Sequence, residues 1–185
     1  MRCVGLIVEG TYDEAALAEL IRKCQGSEVN VICRPCGGAT QLMKKFPGFL
    51  TEFQWVNADL PVDKAIIIRD ADYRNPNDLI AMMEGKVSAH SSPFPRKFLV
   101  IVQKLEAWLL ADEEALSSVT GRMQRRISDP EKINDPKARL RKILSDARID
   151  YTQERARVIA AAASVDVLAA RCPSFKKFQE ALVNG

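Results

Sequence analysis

Short apolar runs alternate with amphipathic segments along the first hundred residues. Four runs bounded by turn residues are candidate strands, at residues 2–8, 29–33, 64–69 and 97–102. Between them, apolar positions recur at helical spacing over residues 12–24, 40–53 and 76–87, with Pro47-Gly48 a candidate break in the second helix. Strands joined by such helices are typical of parallel sheets. The pattern predicts an α/β fold with a mainly parallel four-stranded sheet flanked by helices.

The remainder of the chain has a helical pattern without further strand candidates. Helices are expected at residues 105–117, 136–146, 152–163, 165–171 and 174–183. The segment 121–135 is rich in Ser, Asp, Pro and charged residues, which favours a loop. We therefore expect an α/β core at residues 1–103 and a helical C-terminal extension at residues 104–185 that packs on the core.

Composition narrows the class of protein. The 185 residues are 47% hydrophobic and 28% charged, which is ordinary for a globular chain and excludes a disordered or collagen-like one. No window has the 18 to 20 apolar residues of a membrane helix, and Glu9 interrupts any signal-peptide pattern, so we expect a cytoplasmic protein without a membrane partner. Five cysteines are an odd number, which favours reduced thiols. His90 is the single histidine, so acid/base or metal chemistry falls to carboxylates.

The net charge of +3 is unevenly distributed along the chain. Residues 1–103 contain 12 basic and 12 acidic side chains, whereas residues 104–185 contain 15 and 12. The candidate contacts for a nucleic-acid phosphate lie in this second segment: Arg125, Arg126, Arg139, Arg141 and Lys142. The same spacing also suits an amphipathic helix with a solvated basic face, and the sequence leaves both interpretations open.

Acidic residues follow three of the four candidate strands. Glu9 comes directly after the first strand, and Asp13 lies in the first turn of the next helix. Asp70 and Asp72 end the third strand, where alternation in an extended chain would place both side chains on one side. Glu106 comes shortly after the fourth strand. Functional groups of parallel sheets gather outside the carboxyl ends of strands, so we expect these carboxylates to converge.

Converging carboxylates repel one another unless cations neutralise them. Hard divalent ions such as Mg2+ or Mn2+ prefer oxygen ligands, and they polarise phosphates and activate water. The predicted site therefore suits metal-dependent phosphoryl transfer. In the alternative interpretation, each acid only compensates a helix dipole, caps a turn or forms an ion pair.

Two motifs at these strand ends resemble a known fold family. Val8-Glu9-Gly10 with Asp13, and Asp70-Ala71-Asp72 after a later strand, resemble the Toprim fold of topoisomerases, primases and OLD-type nucleases, with the Glu-Gly-x-x-acid pattern most similar to the OLD branch. The segments 105–112 and 174–178 resemble an uncharacterised prokaryotic family with a Toprim-like core. The resemblance implies a Toprim or Rossmann-like sheet over residues 1–102.

The same resemblance implies roles for individual residues. Glu9 would transfer a proton or bind metal, Asp70 and Asp72 would bind the divalent cation, and Asp13 would support a second metal. Glu106 is matched to a metal site by its location and by the local pattern of the uncharacterised family, not by a motif of known role. The chain has no Walker motif and no tyrosine in a nucleophile context, so neither a full-length OLD protein nor a strand-passing topoisomerase is expected.

The leading hypothesis is a Mg2+-dependent or Mn2+-dependent nuclease that acts on DNA or RNA, in DNA processing or phage defence, with a protein partner as a candidate source of specificity. The first alternative is a non-catalytic module that binds nucleic acid or protein on a Toprim scaffold. The second is a phosphotransferase or phosphatase acting on a small molecule. Cys33 and Cys36 form an isolated Cys-x-x-Cys without a second pair, which favours packing over zinc or redox chemistry.

Overall fold

The computed structural model describes residues 2–55 and 61–183. Its strands are β1 (Cys3–Val8), β2 (Asn30–Pro35), β3 (Lys64–Asp70) and β4 (Arg96–Ile101). Its helices are α1 (Thr11–Gln25), α2 (Ala39–Glu52), α3 (Pro76–Lys86), α4 (Glu106–Leu109), α5 (Glu113–Thr120), α6 (Pro136–Asp146), α7 (Gln153–Ala162), α8 (Val165–Arg171) and α9 (Pro173–Val183). A single 3-10 turn, Pro130–Lys132, lies within the segment expected to be a loop.

The four strands form one sheet in the order β2-β1-β3-β4, and every pair is parallel. In its centre, Leu6 of β1 is aligned with Cys33 of β2 and with Ile66 of β3. Parallel neighbours need a crossover connection, and α1, α2 and α3 provide these connections. The α/β fold with a parallel four-stranded sheet, flanking helices and a helical C-terminal region is therefore confirmed.

Both faces of the sheet are covered, which explains why its strands are almost continuously apolar. All six residues of β1 are buried. Leu6 and Ile66 point into one core with α1 and the C-terminal helices, whereas Ile7 and Ile67 point into a second core with α2 and α3. Successive side chains of a strand face opposite sides, so a strand between two cores has no polar face.

The first of these cores joins the sheet to the C-terminal helices. It contains residues of β1, α1 and β3 together with apolar side chains of α4 to α9. Trp108 is 1% exposed and packs on Phe175 and Phe178, with ring centroids 5.0 and 5.4 Å away. Its indole nitrogen donates a hydrogen bond of 2.8 Å to the Ser174 hydroxyl. Trp108 is therefore a core residue that fixes α9 against α4.

Two local expectations about helices were wrong. The helix expected at residues 105–117 is divided into α4 and α5, because Asp112 is extended and its carboxylate accepts hydrogen bonds from the backbone of Glu114, Ala115 and Ser164. The proposed break at Pro47 is absent, and α2 continues through this residue. None of the helices in the described ranges is long and apolar enough to cross a membrane.

Candidate functional site

A cavity of about 510 Å³ opens at the carboxyl edge of the sheet. The ends of all four strands contribute to it, either directly or through the residues that follow them. Its acidic lining consists of Glu9, Asp13, Asp70 and Glu106, and its basic lining of Lys104 and Lys137. We refer to this space as the carboxylate cavity. Four of the five carboxylates expected at the strand ends therefore meet in one place.

Glu9 is fixed between β1 and β3. Its Oε1 atom accepts a hydrogen bond of 3.1 Å from the backbone N–H of Asp70 and lies 3.8 Å from the Nε atom of Arg69. Its backbone carbonyl accepts hydrogen bonds of 2.8 Å from both Gly37 and Gly38. These two glycines have φ angles of 90° and 107°, which side chains with a Cβ rarely adopt. The end of β2 is thus folded back around Glu9.

Asp13 lies in the first turn of α1, four residues after Glu9. Its Oδ2 atom accepts a hydrogen bond of 2.8 Å from the backbone N–H of Gly10. This contact is one half of a capping box at the start of α1, whereas the alternative interpretation of Asp13 predicts only compensation of the helix dipole. Since Asp13 also lines the carboxylate cavity, capping does not remove it from the site.

Glu106 is held by residues that lie far away in the sequence. It is 4% exposed, and its Oε1 atom accepts a hydrogen bond of 3.1 Å from the Tyr151 hydroxyl. The ammonium group of Lys137 lies 3.6 Å from the same oxygen and 5.0 Å from the centre of the Tyr12 ring. The C-terminal helical region therefore builds one wall of the cavity.

Burial and mutual repulsion disfavour the charged forms of the carboxylates. Burial, followed by repulsion from Glu106 and Glu9, raises the pKa of Asp13 to about 7 against the favourable Gly10 hydrogen bond. Burial and the charges of Asp13, Glu9 and Glu106 raise the pKa of Asp70 well above its usual range. Burial also raises the pKa of Glu9, although the Asp70 N–H and Arg69 oppose this shift. Carboxylates whose charged forms are disfavoured in this way are typical of functional sites.

Contrary to expectation, Asp72 does not line the carboxylate cavity together with Asp70. The strand ends at Asp70, and Asp72 and Tyr73 have φ angles of 45° and 69°, so the alternation of an extended chain stops there. The Asp72 carboxylate forms an ion pair of 2.6 Å with Lys104 and lines a neighbouring pocket. This hydrogen bond to Asp72 raises the pKa of Lys104 and keeps it charged.

The carboxylate cavity has the donor chemistry of a divalent-cation site, because its acidic groups all offer oxygen. Among the residues that the structure describes, however, no three His, Cys, Asp or Glu side chains are arranged as a ready set of metal ligands. Glu9 and Glu106 already accept hydrogen bonds from Asp70 and Tyr151. Binding of a cation therefore requires these side chains to move closer together.

The residues expected to contact nucleic acid are exposed and lie outside the carboxylate cavity. Arg139, Arg141 and Lys142 are on α6, and Lys142 pairs with Asp146 at 3.3 Å. Arg125 and Arg126 are in the preceding loop. Since Lys137 in the first turn of the same helix does line the cavity, α6 connects the acidic site with this basic surface.

Sequence patterns do not identify Lys137, Tyr151 or Arg69 as members of the site. In the sequence, Lys137 belongs only to a basic helix face, and Lys104 is only a neighbour of Glu106 with which it could pair. In the structure Lys104 pairs with Asp72 instead. No local pattern links position 151 to position 106, so these contacts depend on tertiary packing alone.

The Cys33 and Cys36 pair carries thiols whose charged form is disfavoured by burial. All five cysteines are free thiols. Cys36 is buried and lines the cavity, and burial raises its pKa to about 11, so the thiol stays protonated at neutral pH. Burial also raises the pKa of Cys33.

Fold and site together define an α/β protein with a carboxylate cavity at the carboxyl edge of a parallel sheet. A family model described as a domain of unknown function (DUF4276) matches residues 8–183, a range that includes every residue lining the cavity. The chain belongs to this family. No curated protein and no solved structure matches the chain.

Proposed function

We propose that the protein hydrolyses phosphodiester bonds of DNA or RNA with Mg2+ or Mn2+, as a Toprim-type nuclease acting in DNA processing or phage defence. The observation that carries this proposal is the meeting of four carboxylates and two lysines in one cavity. Carboxylates supply ligands for a hard cation, and lysines supply charge for a phosphate. A cation would also relieve the repulsion that raises the pKa of Asp70 and Asp13.

Each side chain has a role in this proposal. Asp70, Asp13 and Glu106 would hold the cation, and a bound divalent ion would polarise the phosphate and activate water. Glu9 takes the proton from the attacking water, since its raised pKa makes it a better base than an ordinary glutamate. Asp72 would join the ligands only by leaving Lys104. Lys137 would face the phosphate oxygens, while Lys104 balances the charge of Asp72 at the edge of the cavity.

The test is cleavage of single-stranded and double-stranded DNA and RNA in Mg2+ or Mn2+. Glu9→Gln and Asp70→Asn should each lower the rate by about a hundredfold or more, because each removes a charge needed in the transition state. Asp150→Asn is the matched control, since Asp150 is exposed and outside the cavity. Cleavage that survives both cavity substitutions would falsify the assignment.

A non-catalytic module that binds nucleic acid or protein is the second candidate. The observation that favours it is the lack of a ready metal-ligand set within residues 2–55 and 61–183. In that case the cavity carboxylates would stay occupied by their present hydrogen bonds, and the protein would bind without cleaving. Binding of an oligonucleotide that remains intact in both metals, with the Glu9→Gln variant binding equally well, identifies this second function.

A further inference from the structure

A second pocket, of about 390 Å³, lies beside the carboxylate cavity. Three cations line it, Lys44, Arg69 and Arg74, together with one acid, Asp72. The charge of Asp72 is balanced by Lys104 at 2.6 Å. We call this space the basic pocket. Its remaining charge is positive, in contrast to the acidic lining of its neighbour.

Arg69 is a buried residue in the wall of this pocket. Its side chain is 4% exposed, and its Nε atom has no hydrogen-bond partner among the described residues. Glu9 lies 3.8 Å from this atom, which is an ion-pair distance but too long for a hydrogen bond. Because this atom is enclosed beside Glu9, Arg69 contributes to the pocket through its positive charge and the two terminal nitrogens of its guanidinium group.

The start of α2 provides further donors. Ala39 and Thr40, in the first turn of this 14-residue helix, line the pocket. No side chain caps the helix at Gly38, and its first turn contains no acidic residue. The N–H groups of a first helical turn have no partner within the helix, and the helix dipole favours an anion there.

Two ion pairs join the walls of the two spaces. Glu9 of the carboxylate cavity faces Arg69 of the basic pocket, and Lys104 of the cavity faces Asp72 of the pocket. The two spaces are therefore immediate neighbours, separated by these two ion pairs. Met43 and Met82 add an apolar surface to the basic pocket. A free inorganic anion would leave this apolar surface uncovered.

We propose that the basic pocket binds a phosphate group of a nucleotide whose sugar or base packs on Met43 and Met82. On the basis of the proposed function, the phosphate in the basic pocket is adjacent, along the same nucleic-acid strand, to the phosphate held in the carboxylate cavity. Arg69 and the first turn of α2 donate hydrogen bonds to it. The positive charges of Lys44 and Arg74, which are exposed, balance the negative charge of this phosphate.

The direct test measures binding of single-stranded DNA and RNA oligonucleotides of one sequence in EDTA, where hydrolysis cannot occur. The Lys44→Ala/Arg74→Ala variant should bind at least one of them about tenfold more weakly, with a slope of log affinity against log salt that is less steep by about 1. The control Lys86→Ala/Lys177→Ala removes two exposed lysines that lie outside both spaces. Equal losses in the two variants overturn the proposal.

The source of the phosphate is tested by calorimetry with inorganic phosphate and with nucleoside 5′-monophosphates. We expect a nucleotide to bind the wild-type chain more tightly than inorganic phosphate, and the Lys44→Ala/Arg74→Ala variant to lose both. Equal affinities would show that Met43 and Met82 add nothing and would overturn the nucleotide assignment. The lack of any binding to the wild-type chain would overturn the pocket itself.

Cleavage assays in Mg2+ separate this inference from the proposed function. If the Lys44→Ala/Arg74→Ala variant binds and cleaves like the wild type, the basic pocket is refuted and the carboxylate site stands. If binding depends on Lys44 and Arg74 but the chain cleaves no substrate, the hydrolytic function is refuted, and the pocket stands as a nucleotide site.

Discussion

At the scale of single residues, the carboxylate cavity is a source of instability at neutral pH. Asp13, Asp70 and Glu9 all have a raised pKa, so the folded state disfavours their charged forms. A chain selected for stability alone would replace one of these residues by an amide. Several acids that repel one another in one cavity are typical of sites where this negative charge binds a ligand.

Asp13→Asn should stabilise the chain at alkaline pH. The pKa of Asp13 is about 7 in the folded state and near its usual 3.8 in the unfolded state, so between these values the folded state holds more protons. Its contribution to stability therefore falls as pH rises from about 4 to about 7. In EDTA at pH 8, the variant should be more stable than the wild type by about 1 to 3 kcal/mol. Near pH 4 the two should be nearly equal.

Urea unfolding at several pH values measures this difference. Asp150→Asn serves as the matched control, because it makes the same substitution at an exposed loop position outside the cavity. Taking the difference between variant and wild type cancels the titration of all other groups. A variant that loses stability relative to the wild type as pH rises contradicts the raised pKa of Asp13.

At the scale of elements, α6 links the carboxylate cavity to exposed basic side chains. Its first turn places Lys137 in the cavity, and its later turns expose Arg139 and Arg141, which are two positions apart and so lie on different sides of the helix. Under the proposed function, a strand of nucleic acid that leaves the cavity would pass α6 along this path, and these two arginines are its candidate phosphate contacts.

The Arg139→Ala/Arg141→Ala variant tests whether phosphate follows this path. Each phosphate contact should contribute about 1 to the slope of log affinity against log salt, so the double variant should lose about 2. Arg22→Ala/Lys86→Ala removes the same charge from α1 and α3 and is the matched control. An unchanged slope would show that Arg139 and Arg141 are only a solvated surface.

Sequence patterns predicted the elements well because a parallel sheet between two cores leaves a strong local signal. The apolar runs of β1 and β3 and the helical spacing between them are properties of neighbouring residues. The strand-end rule also placed Glu9, Asp70 and Glu106 in one cavity.

The turn at Asp72 was missed because a positive φ in a non-glycine residue has no clear sequence signal. The contact from Tyr151 to Glu106 was missed because it depends on packing between distant elements.

At the scale of the whole molecule, β1, α1 and the C-terminal helices share one hydrophobic core, which packs these helices against the sheet. The division into residues 1–103 and 104–185 follows the change from strands to helices. It does not follow a gap in the core, since Trp108 and Phe178 belong to the same cluster as Leu6.

Unfolding should therefore occur in a single transition. Circular dichroism and tryptophan emission should change at the same urea concentration, because Trp108 is buried in the shared core and Trp55 is 80% exposed. Phe178→Ala should lower the free energy of unfolding by about 3 to 5 kcal/mol. Val183→Ala, at an exposed position of the same helix, should change it by less than about 0.5 kcal/mol. Two separate transitions would show that the sheet and the C-terminal helices unfold independently.

The wall that Glu106, Lys137 and Tyr151 form has a consequence for the order of events during synthesis. These residues emerge from the ribosome after all four strands, so the acidic edge of the sheet is synthesised before the wall that closes it. The cavity is complete only when the segment around Tyr151 has been made and has docked. Any activity of this site is therefore withheld from the nascent chain until most of its length has folded.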